Sequence, residues 1–392
     1  MNSNLMFSRD KMIGSIILWY LIPFLYVIFI KNIFLVYTAI ILTCFLISLL
    51  IGYVYSSKLV VSTRFRIKIN HKKTIIFFFS ITTILQLLAI YRMSLGSYII
   101  QTLRNDVFND SSFLFGAPQL YTLYNTFLIP SIICFLIYSL VNKESIYSIT
   151  NFKSYYYFGF WILFVDAALK LGRFPLLYIA FFLFIYKERF LIKKKTILFS
   201  SAILIFISQS ILYLRQFYID SSVDSFWSIF SFERFEKSFV QYQYFGFFML
   251  DEFASKTSLL NGIQFNSFSF VFKMIELLTT KFGIFIEYGW ETINKILSAG
   301  IYFDELGTSI NAFSTNFLPI YLDYGIIGIL FFGLFSGFII GYKTNSPFLR
   351  FVKHINFFIL IFGIYQPIIL SLLGIFIYPI NFLLFTKAYR NA

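Results

Sequence analysis

Long apolar stretches alternate with short polar connections along most of this chain. Ten stand out, at 13–30, 33–55, 74–91, 120–141, 155–171, 174–186, 196–214, 317–341, 355–370 and 373–386. Most run to about 18 to 25 residues, the length at which an α-helix crosses roughly 30 Å of hydrocarbon. They lack the strict apolar–polar alternation that a transmembrane β-strand shows. The pattern predicts an all-α polytopic membrane protein with about ten transmembrane helices. The fifth and sixth stretches are short and nearly continuous, and so are the last two, parted only by the Ser371–Gly374 region. Lys153 and Lys187 flank the 155–186 stretch, and Lys353 and Lys387 flank the final one. A hairpin keeps each lysine pair on one side of the bilayer.

One segment breaks the rhythm. Residues 215–316 separate two groups of spans, 1–214 and 317–392, and are too long for a simple connection. The segment is rich in Phe, Tyr, Ile and Leu, which argues for order. Phe232, Phe235, Phe239 and Tyr242 share one helix face, with Glu233, Arg234 and Lys237 off that stripe. Phe270, Met274, Leu277 and Lys281 open a second such helix. Trp290, Ile293 and Leu297 mark a third, supported by Glu291 and Lys295 four residues apart. Short amphipathic helices with aromatic faces beside a membrane lie on its surface; a small soluble cap domain is the alternative.

Composition closes off other classes. Of 392 residues, 59% are hydrophobic and 13% charged, about half the charge that keeps an ordinary soluble domain in water. Cys44 and Cys134 both fall in apolar runs and read as small hydrophobes, implying neither disulfide nor metal. His71 and His354 sit among lysines and arginines in polar connections. The net charge of +14 is an orientation signal. With the N-terminus inside, the inner connections collect 20 of the 32 basic residues against Asp10, Glu144 and Glu188 alone, a net +17. The short outer connections hold Lys31, Arg92, Arg104, Lys170 and Arg173. Both termini are therefore expected in the cytoplasm and the long segment on the outer face. A nucleic-acid partner would call for the charge on one soluble surface, and none is expected.

Ionisable residues near the outer ends are the candidates for chemistry. Asp166, Lys170 and Arg173 follow i, i+4, i+7 spacing and share a face of the fifth span. Charges there are costly unless paired or turned to a wet cavity, so the set reads either as a site or as a pair closing a helix end. Pro175 starts the next helix just after Arg173 and places that arginine at a hairpin tip. Arg92 and Arg215 sit where spans emerge, which is also where arginines snorkel to the surface. Arg104 and Arg234 lie away from span ends. Guanidinium suits bidentate contact with phosphate and keeps its charge in a partly dry site. The eighth span opens as Asn311-Ala312-Phe313-Ser314-Thr315-Asn316-Phe317 and continues through Asp323-Tyr324-Gly325-Ile326-Ile327-Gly328 to Gly333, Gly337 and Gly341. The last three form a ridge of small residues that lets another helix approach closely. Asp323 is expected about two turns into the membrane. The amide- and hydroxyl-rich entry, with Asn311 and Thr315, and a buried acid after it suggest a polar-substrate site.

The Asn-Ala-Phe-Ser-Thr and Asp-Tyr-Gly-Ile-Ile-Gly stretches after a long outer loop, with Leu171-Gly172-Arg173 at a hairpin, resemble the O-antigen polymerase family of oligosaccharide repeat-unit polymerases. The similarity lies in the order of features over essentially the whole chain. It implies an inner-membrane glycosyltransferase with a GT-C-like helical core and its active site on the periplasmic face. Such an enzyme moves the growing chain from undecaprenyl pyrophosphate onto the next lipid-linked repeat unit, with neither nucleotide sugar nor metal, and a chain-length regulator is a possible protein partner. An Arg followed by Gly eleven positions later, described in some members, is absent here. Arg104 to Gly116 and Arg234 to Gly246 are twelve apart.

On that resemblance, catalysis must stabilise negative charge as the sugar–phosphate bond breaks, which fixed guanidinium groups do best in a water-poor site. Arg173, Arg215 and Arg234 are expected to bracket the pyrophosphate, with Arg104 assisting. A carboxylate would orient or deprotonate the acceptor hydroxyl; Asp166, Glu233 and Asp323 are equal candidates. Two alternatives stand beside this reading. A lipid-linked oligosaccharide flippase would show two similar halves and short loops. An O-antigen ligase would place a His–Asn pair before the eighth span, where this chain has Ser314-Thr315.

Overall fold

A computed structural model describes residues 8–61, 65–69, 71–95, 113–141, 152–170, 172, 174–186, 194–216, 231, 236, 241–255, 275, 279, 283, 301–303, 308–310, 315–364 and 386–390. Among them, five helices are long and apolar enough to cross a membrane: Arg9–Phe29, Val36–Ser57, Phe77–Leu95, Pro118–Val141 and Phe317–Gly341. Three shorter apolar helices accompany them, Tyr156–Leu169, Phe174–Ile185 and Ala202–Ile211. The described residues are mostly helical with a few short strands, as in an all-α membrane protein. The expected span at 373–386 lies almost wholly outside the described residues. So do the amphipathic stripes expected at 232–239, 270–281 and 290–297, apart from single positions. The chain divides into two units.

The first unit holds α3 (His71–Leu95), α4 (Pro118–Thr122), a π-helical segment (Leu123–Leu128), α5 (Ile129–Val141), α6 (Phe152–Leu169), α7 (Phe174–Ile185) and α8 (Lys194–Gln216). Strand β1 (Phe65–Ile69) pairs with a late strand, Thr386–Arg390. The π-segment has a cause in the sequence. Pro130 has no N–H to give the preceding turn and its ring crowds the carbonyl four residues back, so the chain widens before it. Aromatic rings fill the centre: Phe79 lies 5.4 Å from Phe158 and 5.7 Å from Phe135, and Phe78 lies 5.7 Å from Phe127. At the other side of α6, Gly159 makes room for Leu136, which would lie 2.9 Å from any added Cβ.

The second unit holds α1 (Arg9–Phe29), α2 (Val36–Ser57), α9 (Gln241–Ser255), the β2–β3 hairpin (Ile301–Phe303 with Thr308–Ile310), α10 (Phe317–Gly341) and α11 (Pro347–Phe362); the late strand is β4. Ser8 starts α1 by accepting the Lys11 N–H, and Ser346 does the same for α11 ahead of Pro347. The glycine ridge packs as expected, and its partner is α2. A Cβ on Gly333 would fall 2.0 Å from Ser48 Oγ, one on Gly337 2.0 Å from the Leu49 carbonyl oxygen, and one on Gly341 2.0 Å from Ser56 Oγ. Gly52 gives the same access to α10 from the opposite side, facing the Leu334 carbonyl. The paired numbers rise together, so α2 and α10 run parallel, and Val60 and Lys343 continue the alignment as a parallel bridge.

The upper part of α10 departs from the expected straight span. Gly325 has φ +60 and ψ −152, a conformation that only glycine holds without strain. Phe317 and Phe332 would be about 22 Å apart on a straight helix, yet their ring centroids are 6.4 Å apart. Both pack on Phe45 of α2. A Cβ on Gly328 would come within 3.1 Å of Ile320 Cγ2, eight residues earlier. Residues 317–324 therefore fold back on the helix that follows, forming a helical hairpin.

The hairpin moves two expected positions. Asp323 lies beside the bend and is partly exposed, not sunk two turns into a straight helix. Thr315 and Asn316, expected at the surface entry, are fully buried. There the start of α10 meets the end of α11. Asn316 donates its backbone N–H to the Gly363 carbonyl at 2.7 Å and its side-chain amide to Ile359 at 3.1 Å. Another difference concerns His354 and Lys353, expected in a polar connection. They sit inside α11, which starts eight residues before the predicted span, and both are buried.

Candidate functional site

The first unit carries an ion pair at the C-terminal end of α6. Asp166 and Lys170 form an ion pair of 2.5 Å, as their i, i+4 spacing led one to expect. Asp166 is 2% exposed and Lys170 16%, so the carboxylate is enclosed and the lysine side chain is partly exposed. A buried carboxylate survives only with partners, and the neighbouring helices supply them. The π-segment carries Tyr124, fully buried, with its hydroxyl against Asp166 and its ring 5.0 Å from the Lys170 ammonium. Gln86 of α3 donates its amide to the Tyr124 hydroxyl at 2.8 Å and to the Ile162 carbonyl of α6 at 2.9 Å. Tyr121 lies within electrostatic reach of Asp166 and bonds to Asn125. Phe115 closes the cluster, 5.0 Å from the ring of Tyr124.

Arg92 occupies the end of α3 with a structural task. Its Nε donates to the Phe113 carbonyl at 3.4 Å, and its guanidinium lies against Gly116, whose φ of +77 turns the chain into α4. This arginine holds the loop that leads to the π-segment.

The second unit presents polar groups in two other places. Where α1 ends and α2 begins, Glu236 accepts from the Tyr26 hydroxyl at 2.7 Å and pairs with Lys31 at 2.5 Å. Asp251 of α9 accepts the Thr38 N–H at 2.9 Å, and Thr38 Oγ1 donates to the Phe247 carbonyl at 2.8 Å. At the opposite end of these helices Arg9 donates to the carbonyls of Ser57 and Gly341, and Lys353 to that of Tyr342. These cations cap helix C-termini, where the helix dipole favours them.

Of the expected site residues, the structure brings Asp166 and Lys170 together. Thr315 is buried beside Gly246, whose Cβ would meet its Cγ2 at 2.9 Å, and Asp323 stands at the hairpin bend. Arg215 lies in the last turn of α8. Arg104, Arg173, Glu233, Arg234 and Asn311 lie outside the described residues. Among the described residues, no group of three or more His, Cys, Asp or Glu gathers as a metal-binding set. No family model, curated protein or solved structure matches this chain. The residues themselves therefore carry the functional argument.

Sequence reading missed Gln86 and Tyr124. Gln86 did leave a signal, an amide within the apolar run 74–91. Tyr124 left none, being one of 28 tyrosines, and only the π-segment singles it out.

Proposed function

We propose that the chain is a membrane glycosyltransferase of the O-antigen polymerase kind, joining lipid-pyrophosphate-linked oligosaccharide repeats at the outer face of the cytoplasmic membrane. The observation that carries the reading is the Asp166–Lys170 pair, an ionic group built into an apolar bundle with its carboxylate enclosed and its lysine partly exposed. In this reading Lys170 contacts the diphosphate headgroup together with Arg104, Arg173, Arg215 and Arg234. Of the three candidate carboxylates, Asp166 is committed to Lys170, which leaves Glu233, of the same unit, to receive the acceptor hydroxyl's proton. The chain crosses the bilayer ten times, and the 215–316 segment lies outside. That placement is supported by Glu236 and Asp251 attaching at the α1–α2 turn, the end opposite the one where Arg9, Lys343 and Lys353 gather.

A second reading, a lipid-linked oligosaccharide transporter, is favoured by the Gly325 bend and the helix ends meeting inside the second unit. Transporters place broken helices at their substrate sites. Loss of the gene separates the two on a lipopolysaccharide gel. Loss of a polymerase leaves core plus one repeat unit, whereas loss of a transporter removes even that unit.

The pair itself is tested by substitution. Removing one partner of a buried ion pair costs about 3–5 kcal/mol, whereas replacing both with neutral groups is close to neutral. Asp166→Asn or Lys170→Met alone is expected to lower both protein level and polymer. The double variant is expected to recover the melting temperature and membrane level without recovering polymer. Recovery of full-length polymer by the double variant would mean that the pair only closes the helix end.

A further inference from the structure

We propose that Gln86 and Tyr124 are positioning residues of this site, holding Asp166 so that it fixes the Lys170 ammonium where it can meet phosphoryl oxygens. The inference rests on the reading of the pair as part of a headgroup site and assigns tasks to two residues on other helices. The side-chain amide nitrogen of Gln86 has two hydrogens, and both are engaged, one by the Tyr124 oxygen and one by the Ile162 carbonyl. A phenol oxygen that accepts from Gln86 must direct its own proton elsewhere. Tyr124 is fully buried, and the acceptor beside it is Asp166. The carboxylate thus has a phenol and an ammonium beside it. The same tyrosine ring lies 5.0 Å from that ammonium.

This arrangement has a direction. Gln86 and Tyr124 are 3% and 0% exposed and Asp166 2%, while Lys170 is 16% exposed. An anion arriving from outside meets Lys170 first and has no path to Asp166. Asp166 is therefore the fixed counter-ion of the site, and not a base that reaches the acceptor sugar. The amide is informative too. An unbonded amide in an apolar helix is costly, and methionine would fill the same volume without a polar group. What Gln86 adds to packing is the orientation of the Tyr124 hydroxyl.

The test uses the full chain in lipid nanodiscs, with inorganic pyrophosphate as the probe in isothermal titration. Tyr124→Phe keeps the ring and removes the hydroxyl; Gln86→Met keeps the volume and removes the amide. Each is expected to weaken pyrophosphate binding about tenfold, the order of one hydrogen bond to a charged group. In the Asp166→Asn background the same changes should have less than about a twofold further effect, since they act through the missing carboxylate. A purely structural role would lower the melting temperature and leave no such coupling. Unchanged affinity in Tyr124→Phe, or losses that simply add to that of Asp166→Asn, would overturn the proposal. If Tyr124→Phe does not fold, Gln86→Met carries the same expectation with the phenol in place. Polymer synthesis from lipid-linked repeats is measured beside binding. A wild type that binds with the expected coupling but makes no polymer sinks the glycosyltransferase reading alone. One that makes polymer while Tyr124→Phe binds normally sinks this inference alone.

Discussion

Asp251 shows how a single carboxylate in this protein is balanced between opposing forces. It accepts backbone N–H bonds from Thr38 and Tyr37 at the start of α2, where the preceding Leu35 has no side-chain oxygen to offer. A carboxylate suits a helix N-terminus. Burial nevertheless outweighs these bonds and the Asp251 carboxyl is pushed up from its ordinary value, with Glu252 adding to the rise. The folded state thus holds this proton more tightly than the unfolded chain. Its contribution to stability is complete below the ordinary carboxylate range and is lost as pH rises through the folded value. Asp251→Asn keeps an oxygen for the same N–H and has no proton to lose. Melting curves of the two proteins should meet near about pH 3 and separate towards pH 7, with the variant the more stable. A wild type more stable at neutral pH would show that charge at the helix end outweighs burial.

At the scale of elements, close packing of α2 on α10 depends on glycines where the obstacle is backbone. The Leu49 carbonyl that faces Gly337 cannot rotate aside as a side chain could. Gly337→Ala is expected to cost about 2 kcal/mol or more by forcing the helices apart. Gly14 of α1 has nothing within 4 Å of an added Cβ, and Gly14→Ala should stabilise by about 0.5–1 kcal/mol through helix propensity. Denaturation of the purified proteins in one detergent measures both. Equal effects at the two sites would mean that the ridge is not a contact. The ridge was legible in the sequence because small residues four apart make one helix face. The hairpin was not. Gly325 was visible as one of 19 glycines, but its φ of +60 follows from what Phe317 packs against, and that is Phe45, far away in the chain.

For the whole molecule, charge and structure agree on two ends. Arg9 and Lys353 meet helix C-termini at one end of the second unit, and Lys31 with Glu236 marks the other. With Cys44 and Cys134 replaced, a cysteine at Lys31 should react with a membrane-impermeant thiol reagent in intact cells with the outer membrane opened. A cysteine at Lys58 should react only after the inner membrane is breached. The reverse pattern would turn the molecule over and put the 215–316 segment in the wrong compartment for the proposed reaction.

The class of the molecule, most helix positions, the Asp166–Lys170 pairing and the glycine ridge could all be read from the chain alone. Each depends on spacing within one helix or on the length of hydrocarbon a helix must cross, and both are local quantities. The bond of Gln86 to Tyr124, the capping of α2 by Asp251 and the buried junction of Asn316 with Gly363 could not be read there. They join groups 38 to 213 positions apart. Their partners are chosen by the way helices pack, because a polar group in an apolar interior must be satisfied by whichever donor or acceptor the fold brings beside it.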